Sequence, residues 1–162
     1  VTAGHGIILP GPFARYTRER MERVKRRGFA AEVARLRDGP PPWFRGPMAA
    51  PNVAENFIHH EDLRRPQGDD PRELDDEVTN LLWSMLRRTA RLQFRRARGI
   101  GLELVLPDER AKVVRAREPL VKIEGPVGEL YLFATGRKDA ARVSIEGAAE
   151  AVEILRSSRL GI

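Results

Sequence analysis

The chain has 162 residues, no cysteine and a formal net charge of +6 at pH 7. That length can bury a sizeable core as one domain or two small ones, and the lack of cysteine excludes a disulfide framework, a thiolate metal cage and a cysteine nucleophile. No apolar run approaches the roughly 20 residues that span a bilayer, and no basic region followed by an apolar stretch and cleavage site opens the chain, so the default expectation is a cytoplasmic protein without a membrane partner.

The surplus of positive charge is uneven. Residues 99–162 carry 10 basic and 10 acidic side chains, whereas residues 1–98 carry 19 against 13. The first of these regions in the chain reads as helical. Phe13, Thr17, Met21 and Val24 recur at helical spacing, Gly28 interrupts, and Ala30 to Arg37 form a short second helix with Val33 and Leu36 as its core residues. Asp38-Gly39-Pro40-Pro41-Pro42 ends it, which predicts a loop over 38–51 anchored by Trp43 and Phe44.

A helix with Glu55 and His59 follows and ends before Pro66. A polar loop with Gly68 and Pro71 then leads to a long helix from about Asp75 to Arg96, whose apolar stripe is Val78, Leu81, Leu82, Met85, Leu86 and Leu92. Its end carries Arg87, Arg88, Arg91, Arg95, Arg96 and Arg98 without an intervening acid. Such a cluster could hold phosphate, a carboxylate or nucleic acid, but with Phe94 as the one interleaved aromatic it reads better as a solvated face complementing the helix dipole.

Beyond residue 98 the hydrophobic period shortens. Leu102–Leu106, Lys112–Arg115 and Leu120–Ile123 read as three short strands in a meander, the first two joined by a turn at Pro107–Arg110. A helix starting at Pro126 and stopping at Gly136, a fourth strand over Arg142–Ile145 and a closing helix from Ala148 to Ser157 complete a small α+β unit. The fold class is therefore α+β, with domains at 1–98 and 99–162. No Gly-rich phosphate loop, nucleophile elbow or Ser/His/Asp grouping is present.

The stretch Asn52–Leu63 carries the chemistry. At about 100° per residue, Glu55, His59 and Asp62 fall in a strip roughly 60° wide over two turns. Ile58 and Leu63 flank that strip, and Val53 and Phe57 lie opposite it. A narrow polar stripe with apolar residues around it suggests a buried helix carrying a polar site, and a divalent metal would satisfy a buried carboxylate and imidazole together. Spacing alone leaves a second reading open: a helix end with ordinary surface charges and a histidine hydrogen-bonded in the core.

The run Asn52–Arg65 resembles the metal-binding helix of the DinB-like, mycothiol-dependent maleylpyruvate isomerase superfamily, and within it the branch of actinobacterial metal-binding proteins. Ile123–Leu130, Phe133–Arg137 and Ala140–Val143 resemble the α+β domain that follows the helical domain in that family. The resemblance implies a partial DinB-like helical bundle followed by a small α+β domain. It also implies a divalent metal, zinc, held by Glu55 and His59 with a third histidine from an earlier helix. Asp62 would orient a ligand imidazole or be a plain surface acid, and His60 points about 100° away from His59. An intact family member would use the metal to hold a small-molecule thiol such as mycothiol as thiolate for attack on an electrophilic substrate.

The family's first helix, and the second helix with the remaining histidine, correspond to positions before Val1. His5 is the one histidine upstream of residue 59, and it lies in a Gly-rich lead-in. With two ligands the metal would bind weakly, so a catalytically silent metal binder and an Arg-rich anion binder stand beside the isomerase reading.

Overall fold

The structure is a computed structural model. It describes residues 42–161 continuously, with side chains from Ala50 onward, and before them only scattered positions between Arg18 and Arg37. By internal contacts the chain divides into Val1–Ala49 and Ala50–Ile162.

In the first unit the described positions on either side of Gly28 are helical and solvent-exposed. Gly28 sits between them with φ +81°, a left-handed conformation that glycine adopts without steric penalty, so the interruption read from the sequence is present. Lys25 and Glu22, one turn apart, pair at 3.0 Å on the exposed surface. Phe13, Met21, Val24, Val33, Leu36 and His5 lie outside the described residues.

Helix α1 runs Pro42–Arg64, so the loop predicted over 38–51 is helix from Pro42 onward. Pro42 opens the helix, where its missing N–H has no partner to lose. Pro47 and Pro51 then lie inside it, each removing one donor from a ladder that continues around them. A 3-10 turn, Arg65–Gln67, closes on Gly68 at φ +87°. Helix α2 spans Asp76–Gln93, with the Asp75 side chain accepting from Val78 N at 2.8 Å as its cap. Its buried residues are Leu82, Trp83, Leu86, Ala90 and Gln93. Leu92, expected in the stripe, is 47% exposed. Helical geometry explains the exchange: Gln93 falls between Leu82 and Leu86 in angle, whereas Leu92 lies roughly 80° to one side of Leu82.

The sheet contains β1 (Gly101–Val105), β2 (Ala111–Arg115), β3 (Leu120–Glu124) and β4 (Ser144–Gly147) in the order β2-β1-β3-β4. β1 pairs antiparallel with β2 and parallel with β3, and β3 pairs antiparallel with β4. The predicted meander is thus corrected. After the β1–β2 hairpin, residues 116–119 carry the chain across the end of β1 to its other side. Gly101 permits the crossing: its N–H donates to Pro119 O at 2.9 Å, and a Cβ added there would stand 1.9 Å from Arg117 O. β4 begins two residues later than predicted because the Arg142 N–H donates to Glu129 Oε2 at 2.7 Å instead of to the ladder.

Helix α3 (Val127–Ala134) follows Pro126, and all eight of its residues are buried. A helix that is apolar all round belongs inside a core. Helix α4 (Ala149–Ser157) closes the sequence of elements. One contiguous core runs from Ala54 and Phe57 of α1 through α2, the sheet and α3 to Leu155 and Leu160. The boundary read at 98/99 therefore falls inside a single packed unit: the change of period marks a change of secondary structure within one core. Two cationic side chains lock helix ends. Arg115 of β2 donates to Ala97 O and Ile100 O, at 2.5 and 3.1 Å, beyond α2, while Lys138 donates to Arg156 O and Ser158 O at the end of α4.

Gly101→Ala should destabilise the protein by at least about 2 kcal/mol, because the clash is with backbone and cannot be relieved by a side-chain rotation. Chemical denaturation of the variant against the parent measures it, and a shift within error would show that the crossover can move aside.

Candidate metal site and its neighbouring groove

The face that α1 buries is not the one that carries Glu55 and His59. Ala54, Phe57 and Glu61 turn inward, with exposures of 2%, 6% and 1%. Glu55, His59, His60 and Asp62 are exposed. The two stripes lie roughly 130° apart around the helix. The expectation that the polar stripe is buried is therefore corrected: the buried acid of α1 is Glu61.

Three arginines satisfy Glu61. Arg65 Nε donates at 2.6 Å, Arg72 Nε at 2.7 Å and Arg64 Nη1 at 3.0 Å. Burial pushes the Glu61 carboxyl up, but the hydrogen bonds from Arg65, Arg64 and Arg72 outweigh it and hold the group below its ordinary value of 4.5. Arg65 continues inward to Glu129 of α3, donating from Nη2 at 2.5 Å and from Nη1 at 3.3 Å, and Nη1 also donates to Ala140 O at 2.9 Å. Burial pulls the Arg65 guanidinium down, and its bonds to Glu129 and Glu61 more than restore it. Arg72 stacks over the Phe57 ring, 5.5 Å from the centroid.

Asp62 is held by Arg137 in a two-pronged pair, Nε to Oδ1 at 3.0 Å and Nη2 to Oδ2 at 2.8 Å. That hydrogen bonding lowers its carboxyl pKa, the attraction of Arg137 and of His59 adding to it against a smaller effect of burial. Asp62 is thus committed to an arginine of the α3–β4 connection. Glu55 and His59 differ: neither makes a hydrogen bond or ion pair with any residue.

Two depressions flank this stripe within the second unit. The smaller, about 300 Å³, is lined by Asp62, Arg65, Arg137 and Asp139 among others. The larger is a groove of about 740 Å³ whose wall includes Glu55, Ile58, Gln93, Tyr131, Arg159 and Leu160. Burial pushes the Tyr131 phenol up, and the negative charge of Glu55 adds to the effect. The groove has one wall made by close backbone approach. Gly161 has φ +92°, and a Cβ there would lie 3.1 Å from Thr135 O; Gly136 has φ +93°, and a Cβ there would lie 3.1 Å from Leu160 O.

The structure thus sets Glu55 at the groove and His59 one turn beyond it on the open face. Among the described residues, no group of three or more His, Cys, Asp or Glu could hold a metal ion. Glu61, Arg65, Glu129, Gln93 and Tyr131 were not singled out from the sequence. Glu61 had a legible signal, since it continues the Ala54/Phe57 stripe at i+7 and i+4. Comparison with protein-family models, curated proteins and solved structures finds no match in any of the three.

Arg65→Met should cost about 3–5 kcal/mol, because it leaves two buried carboxylates without their shared partner. Glu61 gives the same network an acid limit. Its carboxyl is held below 4.5 in the folded state, so the stabilisation is complete above that pH and is lost as the pH falls toward the depressed folded value. Melting temperatures recorded across the acid range should fall more steeply for the parent than for Glu61→Gln; parallel curves would remove Glu61 from the account.

Proposed function

We propose that this chain is a metal-binding protein in which Glu55 and His59 supply two ligands to a divalent cation, zinc by its resemblance to the DinB-like superfamily. One observation carries the reading. Glu55 and His59 stand one helical turn apart on the exposed face of α1 without a hydrogen bond or ion pair, while the other acids of that helix segment, Glu61 and Asp62, are both held by arginines. A carboxylate and an imidazole at this spacing suit zinc in donor type and in placement on one face.

The fit is partial. Asp62 is engaged by Arg137, and the described residues offer no third ligand. Two protein ligands leave several positions to water, so the affinity is that of an open surface site. A divalent cation bound there would lower the pKa of a water or small-molecule thiol on its free positions. Thiol-dependent isomerase or transferase activity, with mycothiol as thiol and an electrophilic substrate, would require a further protein ligand. The chain on its own reads as a binder without turnover.

Isothermal titration of the full chain with Zn²⁺ should give one site with a Kd between about 10 μM and 1 mM. His59→Ala and Glu55→Gln should each weaken it by at least about tenfold, and His60→Ala should leave it unchanged. Zinc binding that ignores the loss of His59 would end the proposal.

A further inference from the structure

Gln93 is the polar side chain that the fold leaves unexplained. It sits on the inward stripe of α2 between positions filled by Leu82, Leu86 and Ala90, and it is 5% exposed. Its side-chain oxygen is buried without any hydrogen-bond partner, and among the described residues it is the one such side-chain atom. Its backbone carbonyl is satisfied by Gly161 N at 3.1 Å, so the deficit belongs to the carboxamide alone. An unpaired buried amide oxygen is rare in native proteins, and an apolar residue would be the ordinary occupant of this position.

Gln93 is one of the residues that line the 740 Å³ groove, which is within the size range of small-molecule sites, and its amide oxygen lies covered beneath that lining. The phenol of Tyr131, itself 5% exposed, lines the same groove and makes no hydrogen bond. Glu55 adds a carboxylate without a partner at the wall, and Ile58 and Leu160 add apolar surface. Two of the cations there are already committed. Arg137 is held by Asp62 and donates to Thr135 O, and Lys138 is held by the carbonyls at the end of α4, which leaves Arg159 as the one cation of the lining without a partner. The groove is therefore poorly equipped for a multiply charged anion and well equipped for a neutral molecule with paired donors and acceptors.

We infer that this groove is a binding site for a small, neutral, amide-bearing molecule, with the Gln93 side chain turning about its last bonds to bring its covered carboxamide oxygen to the ligand amide and the Tyr131 hydroxyl taking a second polar group. A primary carboxamide offers a donor and an acceptor side by side, and a 180° turn about its last bond exchanges them. A ligand amide offers the complementary pair in either orientation, which an ester or a simple alcohol does not. The apolar flank of Ile58 and Leu160 selects for an aliphatic substituent next to the amide. The inference is independent of whether a metal occupies Glu55 and His59, since it rests on Gln93 and Tyr131.

The test uses the ¹⁵N-labelled full chain with EDTA present, titrated with N-acetyl-leucine N-methylamide and with its ester isostere, in which oxygen replaces each amide N–H. The expected result is a saturable shift of the Gln93 side-chain amide and of the Tyr131, Thr135 and Gly161 backbone signals. The ester should bind at least about tenfold more weakly, because it cannot complete the carboxamide pair. Gln93→Leu should abolish the shifts at the remaining three positions and raise the melting temperature, since it replaces an unsatisfied polar group by an apolar one. Gln93→Met and Tyr131→Phe serve as the second set, the latter retaining the fold and weakening the amide. Absence of saturable shifts in the parent, equal affinity for the ester, or unchanged amide binding in the Gln93 variants would overturn the inference. A lowered melting temperature in both Gln93 variants would also count against it, by showing that the carboxamide is stabilised within the protein.

Discussion

The guanidinium of Arg65 between two buried carboxylates fixes how α1 sits on the rest of its unit. Glu61 approaches from the same helix and Glu129 from α3, and the third direction is closed by Ala140 O. Charges this deep are tolerable only when each is paired and its remaining hydrogen-bonding capacity is filled. Here Arg64 and Arg72 complete Glu61, and the Arg142 N–H completes Glu129. The network specifies orientation more than it adds stability, since hydrophobic residues of similar volume could pack as well. Its consequence for the site is direct. With Glu61 turned inward, the rotation of α1 is set, and Glu55, His59 and Asp62 must face outward on the far side.

That constraint also shows which parts of the molecule were legible in its sequence. The polar stripe was correctly located in angle and its residues do share a face, but the side of the helix that faces the core could not be read from the stripe alone. Val53, Phe57, Ile58 and Leu63 surround α1 with apolar residues, and Leu63 is nevertheless 68% exposed. The deciding residue was a glutamate in an apolar register, whose burial depends on arginines at 65 and 72 and, through Arg65, on Glu129, which lies 64 positions beyond that arginine. Non-local pairing of that kind has no local signature. The caps and stops fared better: Asp75, Pro126 and Gly136 act at short range, and each marks an element end close to where the sequence put it.

The sheet illustrates the same limit. Periodicity located all four strands to within two residues, because the alternation of buried and exposed positions is a property of each strand. Their order is a property of the connections. A four-residue link between β2 and β3 is short enough to suggest a hairpin, and what makes it a crossover is the absence of a side chain at Gly101, where Arg117 O passes at a distance no Cβ would allow. The boundary expected at residue 98 lies within the core of the second unit for a related reason. Helix α2 packs on α3 and β2, and Phe57 of α1 reaches Gly128 of α3, so a change of hydrophobic period coincided with no break in packing.

Much of the basic surplus finds a structural use within the protein. Arg64, Arg65, Arg72 and Arg137 are spent on the acids of α1, Arg115 closes the end of α2, and Arg87 lies over the Trp83 ring at 6.0 Å. Arginine suits these tasks because its planar fork can serve two or three acceptors at once, as Arg65 does. What remains is a fringe of solvated arginines at the end of α2. Against this background of filled valences, Glu55, Tyr131 and Gln93 stand out as groups around one groove whose hydrogen-bonding capacity is unspent. A fold that satisfies Glu61 with three arginines, and leaves a glutamine oxygen of α2 without a partner, gathers unmet polarity around a large groove of the unit; that is the pattern expected of a surface that acquires its last partner from solution.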